Sequence, residues 1–147
     1  MKAQDELLEA ENAAWSALCA RVDRITDDLW WTRPGVSGPW SPKDVLAHIA
    51  CWHAEAVRHL EAVRTIGADP SWPEVETFND VAYGRCADLS PREVLAMSGS
   101  ARHRWREEVA AAPPIALTPR MLEALAECGH QHYHEHLAGL DAFLESP

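Results

Sequence analysis

Three segments of the 147-residue chain begin with a hydroxyl residue followed by proline, and these pairs determine where three helices can start. A hydroxyl at the N-cap accepts a hydrogen bond from a backbone N–H that has no partner within the helix. Proline suits the next position because it lacks the N–H that would go unused there. The pairs are Ser41-Pro42, Ser90-Pro91 and Thr118-Pro119. They predict helices over residues 42–66, 91–111 and 119–144.

The rest of the chain adds one earlier helix and one long connection. Apolar residues spaced by three, four or seven predict a helix with a single buried stripe over residues 5–29. Residues 67–90 are too many for a tight turn, and weak helical spacing over 75–87 predicts a short helix within them. No strand pattern is present. The sequence therefore predicts an all-α four-helix bundle, one domain over residues 1–147, with a long crossover between helices 2 and 3 that contains a short helix.

Charge and cysteine usage exclude several classes of protein. The net charge is −10, from 13 basic and 23 acidic residues without a basic stripe, which disfavours nucleic-acid binding. No secretory signal and no membrane-length apolar run is present. Four cysteines lie far apart without a CxxC pair and are expected to be small buried hydrophobic residues in a reducing compartment. We expect a cytoplasmic protein without a membrane partner, and homodimer formation is compatible with a bundle.

Histidines on the apolar flanks of two predicted helices are candidate metal ligands. His132 and His136 are four residues apart on one flank, so both rings can reach one ion. His48 lies on a flank of helix 2. The alternative is that His48 is a hydrogen-bonded core residue and that the histidine-dense run is an exposed tract. We assign five other histidines to the surface or to packing: His53, His59, His103, His130 and His134. Of these, His130 and His134 are also four residues apart and form an alternative pair.

Three segments resemble one branch of the DinB-like four-helix bundles, the branch that contains mycothiol-dependent maleylpyruvate isomerase and the ClbS/DfsB-like proteins. GVSGPWSPKDVLAHIACW resembles the start of helix 2 there, with its recurring (G)xWS-x-KD-[VI]-LAHL pattern. ETFNDVAYGRCADLSPREVL resembles the crossover, with asparagine at Asn79, and HYHEHL matches a closing HYxEHL. The likeness runs from about residue 7 to residue 143. It implies that His48 of helix 2 and the HxxxH pair His132 and His136 hold a divalent ion.

A site of three neutral imidazoles leaves coordination positions open, as catalytic zinc sites do, and imidazole also suits nickel, cobalt or iron. We expect zinc or nickel. Such an ion activates water, which gives a hydrolase, or ionises a thiol. The second possibility gives a low-molecular-weight-thiol S-transferase or isomerase that acts on a small reactive substrate in stress or detoxification, as the resemblance implies.

Four further residues complete the predicted site. Glu55 follows His48 by seven positions on the same flank and is a candidate general base, although an exposed ion pair with Arg58 is the alternative. The expected pocket residues are Trp52, Asn79 and Tyr83. Two other functions stay open: a metal-independent binding or resistance protein of the ClbS/DfsB-like type that protects by capture, and an interaction protein whose bundle dimerises.

Overall fold

The computed structural model describes residues 2–146, which form α-helices, one 3-10 turn and loops, without a β-strand. The main contacts are those of α3 with α5 and of α1 with α7, so the long helices form a bundle. The predicted all-α bundle with a helix-containing crossover is confirmed. The helices are α1 Ala3–Val22, α2 Asp28–Trp31, α3 Pro42–Ile66, α4 Val75–Cys86, α5 Pro91–Ala111, α6 Pro119–Cys128 and α7 His130–Glu145.

The three predicted helix starts are confirmed by their caps. The Ser41 and Ser90 side chains accept from the backbone N–H groups of Asp44 and Glu93, and both sites are complete capping boxes. Thr118 accepts from the N–H of Met121 in the same way. The hydroxyl–proline pairs therefore determine the first residues of α3, α5 and α6.

The prediction that the first helix reaches residue 29 is wrong. The helix ends at Val22, and α2 begins at Asp28 after a short turn. The Asp27 carboxylate accepts from the N–H of Leu29 at 2.8 Å, so it caps a new helix instead of continuing the old one. Leu29 continues the apolar spacing, yet 77% of it is exposed.

The last predicted helix is interrupted, because α6 and α7 are separated by Gly129. Its backbone lies at φ −104° and ψ −117°, outside the helical region. A Cβ at Gly129 would lie 3.2 Å from the Trp105 ring, so the break also lets that buried ring approach the backbone. The prediction of one continuous helix over 119–144 is therefore wrong, because a new helix, α7, begins at His130.

The crossover is fixed to the bundle at its far end. Lys43 is only 7% exposed, and its ammonium donates to the carbonyl oxygens of Ala87 and Leu89 at 2.8 Å each. These bonds hold the segment after α4 against the first turn of α3. Within residues 2–146, no helix combines the length and hydropathy that crossing a bilayer requires.

Candidate metal centre and its cavity

His48, His132 and His136 meet between α3 and α7. The Nε2 atoms of His48 and His132 are 2.7 Å apart, and the ring centroids of His48 and His136 are 5.5 Å apart. One ring nitrogen of each residue lies within 4.8 Å of the other two. The i, i+4 spacing places the pair one turn apart on α7, and helix packing brings His48 to it. Of the residues that the structure describes, this is the one group of three or more ligand-type side chains that come this close.

The three rings fit a small divalent ion. Zinc–nitrogen distances of 2.0–2.1 Å in a tetrahedron place neighbouring nitrogens roughly 3.3 Å apart. The 2.7 Å pair would therefore open by roughly half an ångström around such an ion. Buried His48 Nδ1 and His136 Nε2 have no hydrogen-bond partner among residues 2–146. Of these two nitrogens, His136 Nε2 is available to an ion, whereas His48 faces His132 with its other nitrogen, Nε2.

Burial keeps the three imidazoles neutral. Burial and, to a smaller extent, the neighbouring His136 lower the pKa of His48 to about 4 against the opposing effect of a hydrogen bond with Asn79. Burial, followed by the neighbouring histidines, holds the pKa of His132 well below its usual value. Burial also lowers the pKa of His136. A neutral imidazole has the free lone pair that a metal ligand needs, so the site is in its binding form at neutral pH.

A cavity of about 610 Å³ adjoins the histidines, and His48 and His132 form part of its wall. Trp52, Trp72 and Asn79 contribute the wall on the side of α3 and the crossover. The opposite wall comes from α6 and α7 and contains four charged side chains: Arg120, Glu123, Glu127 and Glu135. None of these four has a hydrogen bond or ion pair with another residue of the described part of the chain. This volume is in the range of small-molecule sites.

Two of the three expected pocket residues line the cavity. The indole N–H of Trp52 donates to Asn79 Oδ1 at 2.9 Å, which joins the crossover helix to α3 beside His48. Tyr83 is 46% exposed and is not a lining residue. Its ring lies parallel to that of Trp40 at 6.2 Å, and Trp40 in turn contacts the His48 ring. Tyr83 therefore supports the site from outside.

Glu55 is not brought to the three histidines. Its carboxylate accepts from Arg58 at 2.5 Å and lies 3.0 Å from His59 Nε2, and it does not line the cavity. Burial alone would raise the pKa of Glu55, but the bonds with Arg58 and His59 outweigh it and lower the pKa. His59 is fully buried between Glu55 and Asp69, the latter at 2.6 Å. The geometry matches the ion-pair alternative, extended by a buried histidine.

Two groups of residues in and near the site are not among the residues that the sequence predicts. The carboxylates of the cavity wall are one, although Glu123 and Glu127 are four apart and so share a helix face. The other is a hydrogen-bonded cluster of five side chains from α1, α3, α5 and α7, of which two arginines are partly exposed and the rest fully buried. We call it the polar hub: Glu11, His53, Arg102, Arg106 and Tyr133. No spacing within one helix could reveal the hub, because its members meet only through packing.

Comparison with known proteins gives one match. The family model of the DinB superfamily matches residues 12–139, which include all three histidines and the whole cavity wall. No curated protein and no solved structure matches the chain.

Proposed function

Because the chain belongs to the DinB superfamily, we propose that it is a metal-dependent enzyme whose divalent ion is held by His48, His132 and His136. The observation that carries this proposal is the approach of three neutral ring nitrogens to within 4.8 Å of one another beside a cavity of about 610 Å³. Three protein ligands with open positions are typical of catalytic rather than structural zinc. Zinc or nickel is the ion we propose.

When bound there, such an ion would supply a Lewis acid that lowers the pKa of a coordinated water or thiol. The imidazoles hold it without adding negative charge, which preserves its acidity. His48 and His132 also line the cavity, so a substrate seated in the cavity would lie next to the open positions.

The two cysteines with strongly raised pKa values, Cys128 and Cys51, are not poised as nucleophiles in the absence of a bound ion. Cys128 lines the cavity, but burial raises the pKa of its thiol to about 12, and burial together with Cys86 raises the pKa of Cys51 to about 12. Both are therefore protonated at neutral pH, and only the thiolate is a good nucleophile. Water or an external low-molecular-weight thiol remains, and the sequence likeness to the mycothiol-dependent branch favours the thiol.

The cavity wall favours small neutral or cationic substrates over multiply anionic ones. Glu123, Glu127 and Glu135 carry three negative charges against the single positive charge of Arg120. Trp52 and Trp72 add aromatic surface, which binds apolar groups and attracts cations. A small electrophile that carries an aromatic or amino group fits this lining.

The test begins with the metal content of untagged protein purified without chelator. About one equivalent of zinc or nickel is expected, and chelation should remove it. The loaded protein is then given 4-nitrophenyl acetate in water, and 1-chloro-2,4-dinitrobenzene with mycothiol or N-acetylcysteine. Metal-dependent consumption of the first compound indicates a hydrolase, and of the second a thiol transferase. Protein that neither contains nor takes up metal would overturn the proposal and favour binding by capture.

A further inference from the structure

The polar hub joins the four long elements of the bundle at one buried point. Glu11 of α1, His53 of α3 and Tyr133 of α7 are each 0% exposed. Arg102 of α5 reaches the Glu11 carboxylate with two nitrogens at 2.8 Å each, and Arg106 reaches it at 2.5 Å. The hub thus holds a buried carboxylate, phenol and imidazole, together with two guanidinium groups that are partly exposed.

The direction of the bonds in the hub follows from its donors. The Tyr133 hydroxyl has one hydrogen, which it donates to Glu11 Oε2 at 2.7 Å. Toward His53 Nε2, at 2.6 Å, the hydroxyl oxygen must therefore accept, so His53 carries its proton on Nε2. His53 Nδ1 is then an unprotonated nitrogen, and it is buried without a partner within residues 2–146. The tyrosine hydroxyl is the link that connects α1, α3 and α7.

Tyr133 also sits within the metal-binding segment. It follows His132 directly and precedes His136 by three positions on α7, which begins only after the break at Gly129. Successive residues of a helix are rotated by about 100°, so fixing the direction of one side chain fixes the directions of its neighbours. Rotation of α7 away from its observed position would leave Glu11 and His53 buried without the hydroxyl, which is energetically unfavourable.

We propose that the polar hub positions the metal ligands, with Tyr133 as the positioning residue that holds His132 and His136 toward His48. This inference rests on the proposed metal site. If the hub only stabilised the fold, loss of the hydroxyl would lower the free energy of unfolding without a specific effect on the metal site. If it positions the ligands, loss of the hydroxyl should in addition lower the metal affinity and change the geometry of the bound ion.

The test is Co²⁺ binding, followed by its visible absorption, for wild type, Tyr133→Phe and Val109→Ala. Val109 is fully buried in a core cluster that includes no residue of α7, so its truncation destabilises the fold without touching the hub or the three histidines. Tyr133→Phe keeps the ring and leaves Glu11 paired with both arginines. Because Tyr133 does not bond to the three histidines directly, we expect about tenfold weaker Co²⁺ affinity for Tyr133→Phe, the lower end of the range found when hydrogen-bond partners of metal ligands are removed, together with a shifted absorption band.

Urea unfolding of the same proteins separates positioning from stability. Val109→Ala should bind Co²⁺ like wild type even if it is the less stable variant. Equal Co²⁺ affinity in Tyr133→Phe and wild type would overturn the inference, and so would equal weakening in both variants. Failure of wild type itself to bind Co²⁺, Zn²⁺ or Ni²⁺ would instead overturn the proposed function, together with the inference built on it.

A second pair of variants tests the hub if Tyr133→Phe does not fold. Glutamine can place an N–H donor near the position of His53 Nε2, whereas leucine cannot. His53→Gln should therefore keep Co²⁺ affinity within about threefold of wild type. In His53→Leu the Co²⁺ affinity should be weaker by roughly tenfold or more. Equal affinities in the two variants would contradict the positioning role.

Discussion

The Nε2 atoms of His48 and His132 lie 2.7 Å apart although the two residues are 84 positions apart in the chain. In the folded chain one proton is shared between the two facing nitrogens, since each neutral imidazole has one N–H and one lone pair. A divalent ion bound at both nitrogens would take the place of that proton, and each ring would then carry its proton on Nδ1. The same contact that joins α3 to α7 is thus the one that a divalent ion would occupy.

Removing one of the three histidines should abolish metal retention. For His132→Ala we expect loss of the bound zinc or nickel and a drop in affinity larger than the roughly 10–100-fold effect of outer-shell changes. The matched control is His134→Ala, an exposed histidine on the same helix, which should keep about one equivalent. Elemental analysis and competition with a chromogenic chelator measure both, and equal metal content in the two variants would contradict the ligand assignment.

The hub histidine should make the protein sensitive to mild acid. The pKa of His53 is lowered from 6.5 to about 4, mainly by burial, with Glu11 acting in the opposite direction and Arg102 adding to the decrease. The unfolded chain takes up this proton near pH 6.5 and the folded chain only near pH 4. Stability is therefore lost as the pH falls through that window, on the order of 3 kcal/mol from this group. Urea unfolding in EDTA at pH 7.5, 5.5 and 4 measures the loss.

The control for that experiment is His53→Gln, which removes the titrating group. The histidines of the metal site also have lowered pKa values, so some loss of stability should persist in the variant. Glu11 contributes in a lower window: its pKa is lowered because hydrogen bonds from Arg102 and Tyr133 outweigh burial, so its share is lost below pH 4.5. An unchanged pH profile in His53→Gln would show that His53 is not buried in its neutral form.

Substitution of two glycines by alanine should change the stability of the fold in opposite directions. A Cβ on Gly139 of α7 would overlap the backbone oxygen of Val36, which cannot move aside as a side chain does. Gly139→Ala should therefore cost at least the roughly 1–3 kcal/mol of overpacking. Gly99 lies exposed in α5 with nothing near its Cβ position, so Gly99→Ala should gain about 0.5–1 kcal/mol of stability. Thermal or urea unfolding tests both, and destabilisation of similar size would contradict the packing argument.

The cysteine of the cavity wall should resist alkylation despite its position. A pKa of about 12 instead of 9.0 reduces the thiolate fraction of Cys128 near pH 8 by roughly a thousandfold. Iodoacetamide labelling followed by mass spectrometry should show slow modification of Cys128 and Cys51 in the folded protein and rapid modification of all four cysteines in urea. Fast labelling of folded Cys128 would make an internal thiolate nucleophile possible after all.

Local chemistry explains which parts of the fold were predictable. Caps act within three residues, so Ser41, Ser90 and Thr118 determine the starts of α3, α5 and α6 without help from the rest of the chain. Apolar spacing says less about where a helix ends, because Ile25 is buried in the turn after α1 and Leu29 is exposed in α2. The break at Gly129 depends on the Trp105 ring, which comes from another helix.

Within the site, too, only local spacing is predictable, and contacts between helices are not. The i, i+4 spacing places His132 and His136 together, and family likeness adds His48. Packing between helices decides which carboxylate faces a cavity. The spacing from His48 predicts Glu55, whereas Glu127 and Glu135 line the wall. The hub was out of reach for the same reason, since Glu11 and Tyr133 are 122 positions apart.

Gly129, the single residue between α6 and α7, separates most charged residues of the cavity wall from two of the three histidines. Arg120, Glu123 and Glu127 stand on α6, before the break, whereas His132 and His136 stand on α7, after it. Substitutions and small tilts of α6 can remodel what the cavity accepts while α7 stays anchored in the core. Selection could thus alter the α6 part of the cavity wall with less effect on the histidines of α7, although Glu135 of α7 also lines the cavity.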